Sequence, residues 1–394
     1  MSYRKFKADY IFDGKEFLDK NYVLVTQENG VVEDVVEEKQ AGDDIQIFKG
    51  IISPGFINCH CHLELSHLKD VVERGTGLVE FLIKVISNRN AVKEKIEEAI
   101  INADNEMYEN GVVAVGDICN STDTIFQKQK SNIEYRNFVE VLGFNKQSKE
   151  RFQNYINVYN TYCDAGFEKN TSIVPHAPYT VSNSMFNLIN NFSAEKIISI
   201  HNQETLAEDE LYRTKAGEFL KLYQFLNINI DFFKPYNKSS LQSYLSLLNK
   251  AKTILLIHNT FVNQEDIQFA KRQSEIAAQQ IFWCLCANAN LYIENALPPV
   301  ELLQKNNCNI VLGTDSYSSN HSLNILDEMK TLQQYFPSIK LKELLTWSTT
   351  NGAAALGMNN IYGSFEKGKK PGVNLISNVS NGNLLDTSTI KRIL

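Results

Sequence analysis

The sequence predicts an α/β protein: a (β/α)8 TIM barrel over residues 53–356, with a small β-sandwich domain made from both termini, residues 1–52 and 357–394. Three observations predict it. Apolar β-rich runs alternate with helix-like segments eight times through the middle of the chain, which suits a closed barrel of about 250 residues. Both ends read as short strands too small to bury a core alone. No Gly-x-Gly-x-x-Gly follows the first long strand, which disfavours an open doubly wound sheet.

At the N-terminus, Tyr22–Val25 and Ile45–Phe48 are strand candidates, with Asn29-Gly30 as a hairpin turn. The barrel strands are then expected at Gly55–His62, Val112–Ile118, Arg136–Leu142, Thr171–His176, Lys196–His201, Thr253–His258, Gln280–Cys286 and Asn309–Asp315. Helices are expected at Leu78–Tyr108, Lys149–Cys163, Asn263–Ser274 and Leu323–Tyr335. The segment Thr205–Ser246 is long for a crossover; it should hold one helix over Glu208–Asn227 and a loop around Phe233-Lys234-Pro235-Tyr236. Long inserts after barrel strands usually shape a site. Near the C-terminus, Gly363, Gly368 and Pro371-Gly372 punctuate the chain before the alternating strand Val373–Ile376.

The 394 residues include 46 acids against 39 Lys and Arg, a net charge of −7. That balance gives no electrostatic footprint for a nucleic-acid backbone. No apolar run is long enough for a signal or a membrane span. The Cys59/Cys61 and Cys284/Cys286 pairs lie inside apolar strands, a poor disulfide framework. Free thiols in a reducing, cytoplasmic setting are expected.

The strongest local signal is Pro54-Gly55-Phe56-Ile57-Asn58-Cys59-His60-Cys61-His62. Strand residues two apart share a face, so His60 and His62 point together while the cysteines point away. By itself the pair reads equally as a metal clamp or as two hydrogen-bonded interior histidines. The wider pattern favours the metal. Of seven histidines, His60, His62, His176, His201 and His258 fall at predicted strand ends, and Asp315 ends the eighth strand in the same way. Strand ends converge on one face of a barrel, and buried polar groups are costly unless paired. After His201, Glu204 is positioned as a proton shuttle, whereas Glu208 reads as a solvent-facing acid at a helix start. His67, His321, the four strand cysteines and the aromatics Phe232, Phe233 and Tyr236 fit structural roles as well as functional ones.

The ordered set PGFINCHCHLELS, VPHAPYTVS, IHNQETLAEDE, LLIHNTF, CLCANANL, LGTDSYSSN and GSFEKGKKPGVNLI resembles the amidohydrolase superfamily, in the branch of nucleoside and base deaminases and chlorohydrolases. The resemblance implies that His60, His62, His201 and Asp315 ligate one divalent ion, Zn2+ first and Fe2+ as the alternative. It implies Glu204, His258 and Asp315 as catalytic residues and His176 as a substrate contact. Binuclear relatives carry a lysine at the end of strand four; Ile173-Val174-Pro175-His176 has none, which implies a single ion. The family's Cys-Pro-x-Ser-Asn motif reads Cys284-Leu285-Cys286-Ala287-Asn288 here, so substrate contacts at that position stay open.

The expected activity is hydrolytic release of ammonia from an aminated purine nucleoside or related heterocycle. His62-Leu63-Glu64-Leu65-Ser66 resembles aminodeoxyfutalosine deaminases, which makes aminodeoxyfutalosine the first substrate expectation. Glu64 or Glu80 would then bind a ribose diol through charge-assisted hydrogen bonds. The alternatives are cleavage of another C–N or C–Cl bond, as in guanine deaminases, triazine chlorohydrolases or cyclic amide hydrolases, and a non-catalytic binding barrel. The His-x-Glu…Pro-Cys-x-x-Cys signature of the nucleic-acid-editing deaminases is absent. The expected partners are a small-molecule substrate and, on the base rate of barrel hydrolases, a second copy in a homodimer; no nucleic acid or membrane is expected.

Overall fold

A computed structural model describes residues 3–144 and 148–394. Eight parallel strands organise it: β1 (Phe56–Cys61), β2 (Val112–Cys119), β3 (Glu134–Val141), β4 (Thr171–Pro175), β5 (Ile197–Asn202), β6 (Thr253–His258), β7 (Gln280–Leu285) and β8 (Asn309–Leu312). All eight expected strands form. Their Val, Ile and Leu runs are buried on both faces, as parallel strands covered by helices require. They make two four-stranded sheets, ordered β4-β3-β2-β1 and β5-β6-β7-β8.

The sheets meet at two seams. At one, Cys61 and Asp315 form a parallel bridge, and the N–H groups of Thr314 and Asp315 donate to His60 O at 3.1 and 3.0 Å. At the other, His201 N–H donates to His176 O at 2.9 Å. The main apolar cluster fills the strands and the helices around them.

Two expected helices are broken. Leu78–Tyr108 is two, α1 (Leu78–Asn88) and α2 (Lys93–Glu109), because Val92 is extended at φ −65°, ψ 143°. The helix expected over Glu208–Asn227 is also two, α3 (Leu206–Thr214) and α4 (Phe219–Phe225), and a short third helix, Ser240–Tyr244, closes the insert. Lys215 at φ 58° and Gly217 at φ 93° turn the chain between them, and a Cβ on Gly217 would meet Glu210 Oε2 at 2.2 Å. Helices α1 and α4 pack together through a second apolar cluster that includes Leu78, Phe81, Phe219 and Leu222.

The termini form antiparallel-rich sheets. The Asn29-Gly30 hairpin pairs Tyr22–Gln27 with Val32–Glu37. Strand Ile51–Pro54 pairs with Val373–Ser380 and so runs past the expected boundary at residue 52. A final strand, Asn383–Arg392, was not expected; most of its residues are exposed or half-buried, so it carries little apolar signal. Phe6, Ile11, Leu24, Ile52, Phe365 and Val373 give these sheets their own core. Among the described residues no helix is long and apolar enough to cross a membrane.

Candidate metal centre and active site

Alternation along β1 turns Asn58, His60 and His62 to one side. Asn58 fixes that strand end to the segment after β8: its Nδ2 donates to Thr314 Oγ1 at 2.7 Å, and its Oδ1 accepts Thr314 N–H at 3.1 Å. Asp315 follows at φ 58°, with its carboxylate against both histidines. Left-handed backbone is uncommon outside glycine and clusters at functional sites. His258 shares it at φ 72°, Asn259 at φ 60° and Gln203 at φ 45°.

Four donor atoms converge. His60 Nε2 and His62 Nε2 lie 3.2 Å apart, and His62 Nε2 and His201 Nε2 lie 3.3 Å apart. Asp315 Oδ1 is 3.3 Å from both His60 Nε2 and His62 Nε2. Four of the six edges between these atoms are thus 3.2–3.3 Å, and His60, His201 and Asp315 lie within 4.8 Å of one another; edges of about 3.3 Å belong to a tetrahedron whose centre is about 2.0 Å from each corner, the length of a Zn–N or Zn–O bond. The tautomers agree with this. His201 Nδ1 faces His176 O at 2.9 Å, so it carries the proton and leaves Nε2 with its lone pair. Burial lowers His62 to about 3 and holds His201 well below its ordinary value, so both rings are neutral. The donor set therefore fits a divalent ion.

Asp315 is an anion here. Burial raises its carboxyl, but the hydrogen bond with His60 and the nearby His62 and His258 outweigh burial and hold it well below the carboxylate range. Ser319 Oγ donates to its Oδ2. Glu204 is opposite in character: burial, then the negative charges of Asp315, Glu294 and Glu208, push it well above its ordinary value. Its Oε1 lies 3.6 Å from His258 Nε2. His258 Nδ1 donates to Asn290 Oδ1 at 2.7 Å, and burial lowers the ring to about 4. A neutral imidazole with a free Nε2 thus faces a protonated carboxyl. His62, His176, His201, Glu204, His258 and Asp315 line one pocket, walled by apolar residues of α1 and α4.

The amidohydrolase family model matches residues 51–388. The chain belongs to the amidohydrolase family. Adenosine deaminase of Helicobacter pylori is 28% identical over 326 residues, 81% of this chain and 77% of that protein. Aminodeoxyfutalosine deaminase of Nitratiruptor sp. is 26% identical over 338 residues, 83% of this chain and 78% of the relative. Among solved structures, Helicobacter pylori aminofutalosine deaminase in complex with methylthio-coformycin superposes at a TM-score of 0.82 with 24% identity, covering 96% of this chain and 93% of that one. This amidohydrolase is a hydrolase acting on carbon–nitrogen bonds.

Not every expected site residue of the amidohydrolase reaches the pocket. Glu80 is exposed. Helix α1 turns Leu78, Phe81, Leu82 and Val85 inward at helical spacing, which leaves Glu80 on the opposite face. Glu64 is buried but does not line the pocket; its Oε2 accepts Asn120 N–H, Ser121 N–H and Ser121 Oγ, each at 3.0 Å. Phe233 packs on Tyr212, Phe144 and Tyr236, away from the reacting groups.

Glu208 reverses its expectation. It is wholly buried, accepts Gln203 N–H at 3.0 Å and Ser240 Oγ, and so anchors the turn that carries Glu204. Glu140, at the end of β3, lines the pocket and was missed. Its signal was available: like the strand-end histidines, it is a titratable residue next to the end of a barrel-type strand, after the apolar Phe138-Val139.

Proposed function

We propose that this amidohydrolase is a metal-dependent deaminase of 6-aminopurine nucleosides, built on a closed (β/α)8 barrel with a terminal β-sandwich domain. The seam contacts of Cys61 with Asp315 and of His176 with His201 support closure. The observation that carries the activity is the convergence of His60, His62, His201 and Asp315 on one point beside Glu204 and His258. These four would hold one divalent ion, zinc by distance and donor type. When bound, such a cation supplies the Lewis acidity that makes water a nucleophile near neutral pH.

The chain's own groups move the protons. His258 is neutral, and a donor atom of its ring lies within 4.8 Å of those of His60, His201 and Asp315, so it orients the attacking water by accepting a hydrogen bond from it. Asp315 is ionised and takes the proton that the water releases. Glu204 is protonated and donates to the ring nitrogen beside the amino-bearing carbon, which makes that carbon electrophilic. The amine takes the water's proton from Asp315 and leaves as ammonia, and the hydroxyl left on that carbon returns its proton to Glu204. The apolar wall excludes bulk water and strengthens each of these contacts. The named activities of the relatives support a purine nucleoside, with aminodeoxyfutalosine and adenosine first.

The test is ammonia release by metal-loaded protein from adenosine, aminodeoxyfutalosine, guanine and an aminotriazine. The nucleosides should turn over. Glu204→Gln should keep stoichiometric metal and lose at least about a hundredfold in kcat. Normal turnover in that variant dismisses its role, and ammonia from guanine alone moves the substrate to free bases.

A further inference from the structure

Glu140 has no task in the reaction just proposed, yet it is 1% exposed and lines the same pocket. Its Oε2 accepts Asn120 Nδ2 at 3.0 Å. Its Oε1 is buried with no hydrogen-bond partner. The nearest charged-partner contact is His201 Nδ1 at 3.4 Å, but that N–H already goes to His176 O at 2.9 Å. A buried carboxylate oxygen without a donor is costly, and the cost disappears when a ligand brings one. Burial raises this carboxyl to about 8; an occupant that presents an O–H or N–H to Oε1 satisfies that oxygen and favours its ionised, accepting form.

The chemistry of the substrate decides which. His201 stands between two ends of the pocket: its Nε2 joins the reacting groups, and its Nδ1 faces Glu140. A 6-aminopurine whose amino-bearing carbon meets the reacting groups would lay the rest of the nucleoside along the pocket that Glu140 also lines. In a nucleoside, N3, N7 and N9 carry no proton. The donor there is then a hydroxyl of the sugar. We propose that Glu140 Oε1 accepts a hydrogen bond from a sugar hydroxyl of the substrate and so selects ribonucleosides over deoxynucleosides. Asn120 positions the carboxylate by holding its other oxygen; the same residue's backbone N–H goes to Glu64 at 3.0 Å. This inference rests on the deaminase reading, which supplies the orientation of the base.

The test measures binding, so that it does not depend on turnover. Calorimetric titration uses zinc-loaded Glu204→Gln protein, with and without Glu140→Gln, against adenosine, 2′-deoxyadenosine and 3′-deoxyadenosine. Adenosine should bind about ten- to a hundredfold more weakly to the Glu140→Gln form, the range for a hydrogen bond to a charged acceptor. At least one deoxynucleoside, lacking the donor, should bind both forms alike. Equal weakening of all three ligands, no weakening, or no nucleoside binding overturns the proposal. So does loss of one of two bound metal equivalents in Glu140→Gln, because Glu140, His176 and His201 would then hold a second cation. Should Glu140→Gln misfold, discrimination between the ligands without that change decides: adenosine no tighter than both deoxynucleosides overturns the proposal. Hydroxyl-dependent binding without ammonia release by the unsubstituted enzyme would remove the deaminase reading and leave the hydroxyl site standing.

Discussion

Replacing Lys128 by methionine should separate the stability of the fold from the geometry of the metal centre. The Lys128 and Asp117 side chains are both wholly buried, with Nζ 2.5 Å from Asp117 Oδ2. The same ammonium donates to Asn137 Oδ1 at 2.8 Å and Cys119 Sγ at 3.3 Å. Asp117 Oδ1 in turn accepts the N–H of Leu63 at 2.8 Å, directly after His62. Burial raises the Asp117 carboxyl and Lys128 is the first group that lowers it. Lys128→Met leaves that carboxylate buried and unpaired, which costs about 3–5 kcal/mol. With roughly 2.1 cal/mol/K of unfolding entropy per residue, that is a Tm loss of about 4–6 °C for a chain of this length. The sign with pH follows. In the variant the folded carboxyl titrates still further above its unfolded value of 3.8, so the penalty is absent below that value and grows as pH rises past it. Thermal unfolding of apo protein at pH 5 and pH 8 should show the larger deficit at pH 8. The double variant Lys128→Met/Asp117→Leu should recover most of the stability. It still lacks the acceptor for Leu63, so competition against a chelator should show weaker metal binding. A deficit under about 1 kcal/mol at pH 8, or a double variant with normal metal affinity, refutes the reasoning.

Three further outcomes follow from the site. A Cβ on Gly313 would stand 2.8 Å from His60 Cβ, 2.9 Å from Cys284 Sγ and 3.0 Å from His60 N; Gly313→Ala should cost about 1–3 kcal/mol and, by shifting His60 against Asp315, about a hundredfold in kcat, and kcat within twofold of normal counts against it. Because burial keeps His258 neutral down to about 4, kcat/KM should hold between pH 7 and pH 5 and fall only below that; the alkaline limb should come from Glu204, whose raised carboxyl must stay protonated to donate. A pH profile with its acid midpoint near 6.5 would show that the histidine orienting the water is not the buried His258. Chelation should lower Tm and zinc should restore it, by about 4 kcal/mol of stabilisation at a thousandfold excess over Kd; a melting curve indifferent to both would mean no cation belongs to the fold.

How much of this was legible depended on which physical signal each residue left. The eight strands were readable because burial on both faces demands uninterrupted Val, Ile and Leu, and because a histidine or aspartate ending such a run has no packing reason to be there. Glu80 was misplaced because a helix-like run gives the inward stripe only once its register is known, and the stripe proved to be Leu78, Phe81, Leu82 and Val85. Glu208 looked like a dipole-favoured surface acid. What buries it is Ser240 and the backbone of Gln203, partners distant in sequence or hidden in a turn. The break between α3 and α4 rests on Lys215 in a left-handed conformation, for which lysine has no local preference. Asn383–Arg392 pairs by backbone hydrogen bonds along an exposed edge, and only Leu384 and Ile390 among its residues pack on the main core, too little to mark a strand.

The position of the site relative to the sheets explains why these particular strands supply the donors. Within each sheet, strands are tied by long parallel registers such as Ile197–Asn202 with Thr253–His258. Between the sheets only a few backbone contacts cross, at β1 with β8 and at β4 with β5. His60 and His62 face Asp315 across the first seam, and His201 takes its tautomer from His176 across the second. A cation held by His60, His62, His201 and Asp315 therefore joins β1, β5 and the segment after β8, fastening one sheet to the other where backbone bonding is thinnest. The reacting groups sit on the turns that leave these same strands, Glu204 after β5 and His258 at the end of β6. Their geometry would consequently depend on the same seams that a bound metal would span, and a loss at either seam should be felt first as lost metal and only then as lost structure.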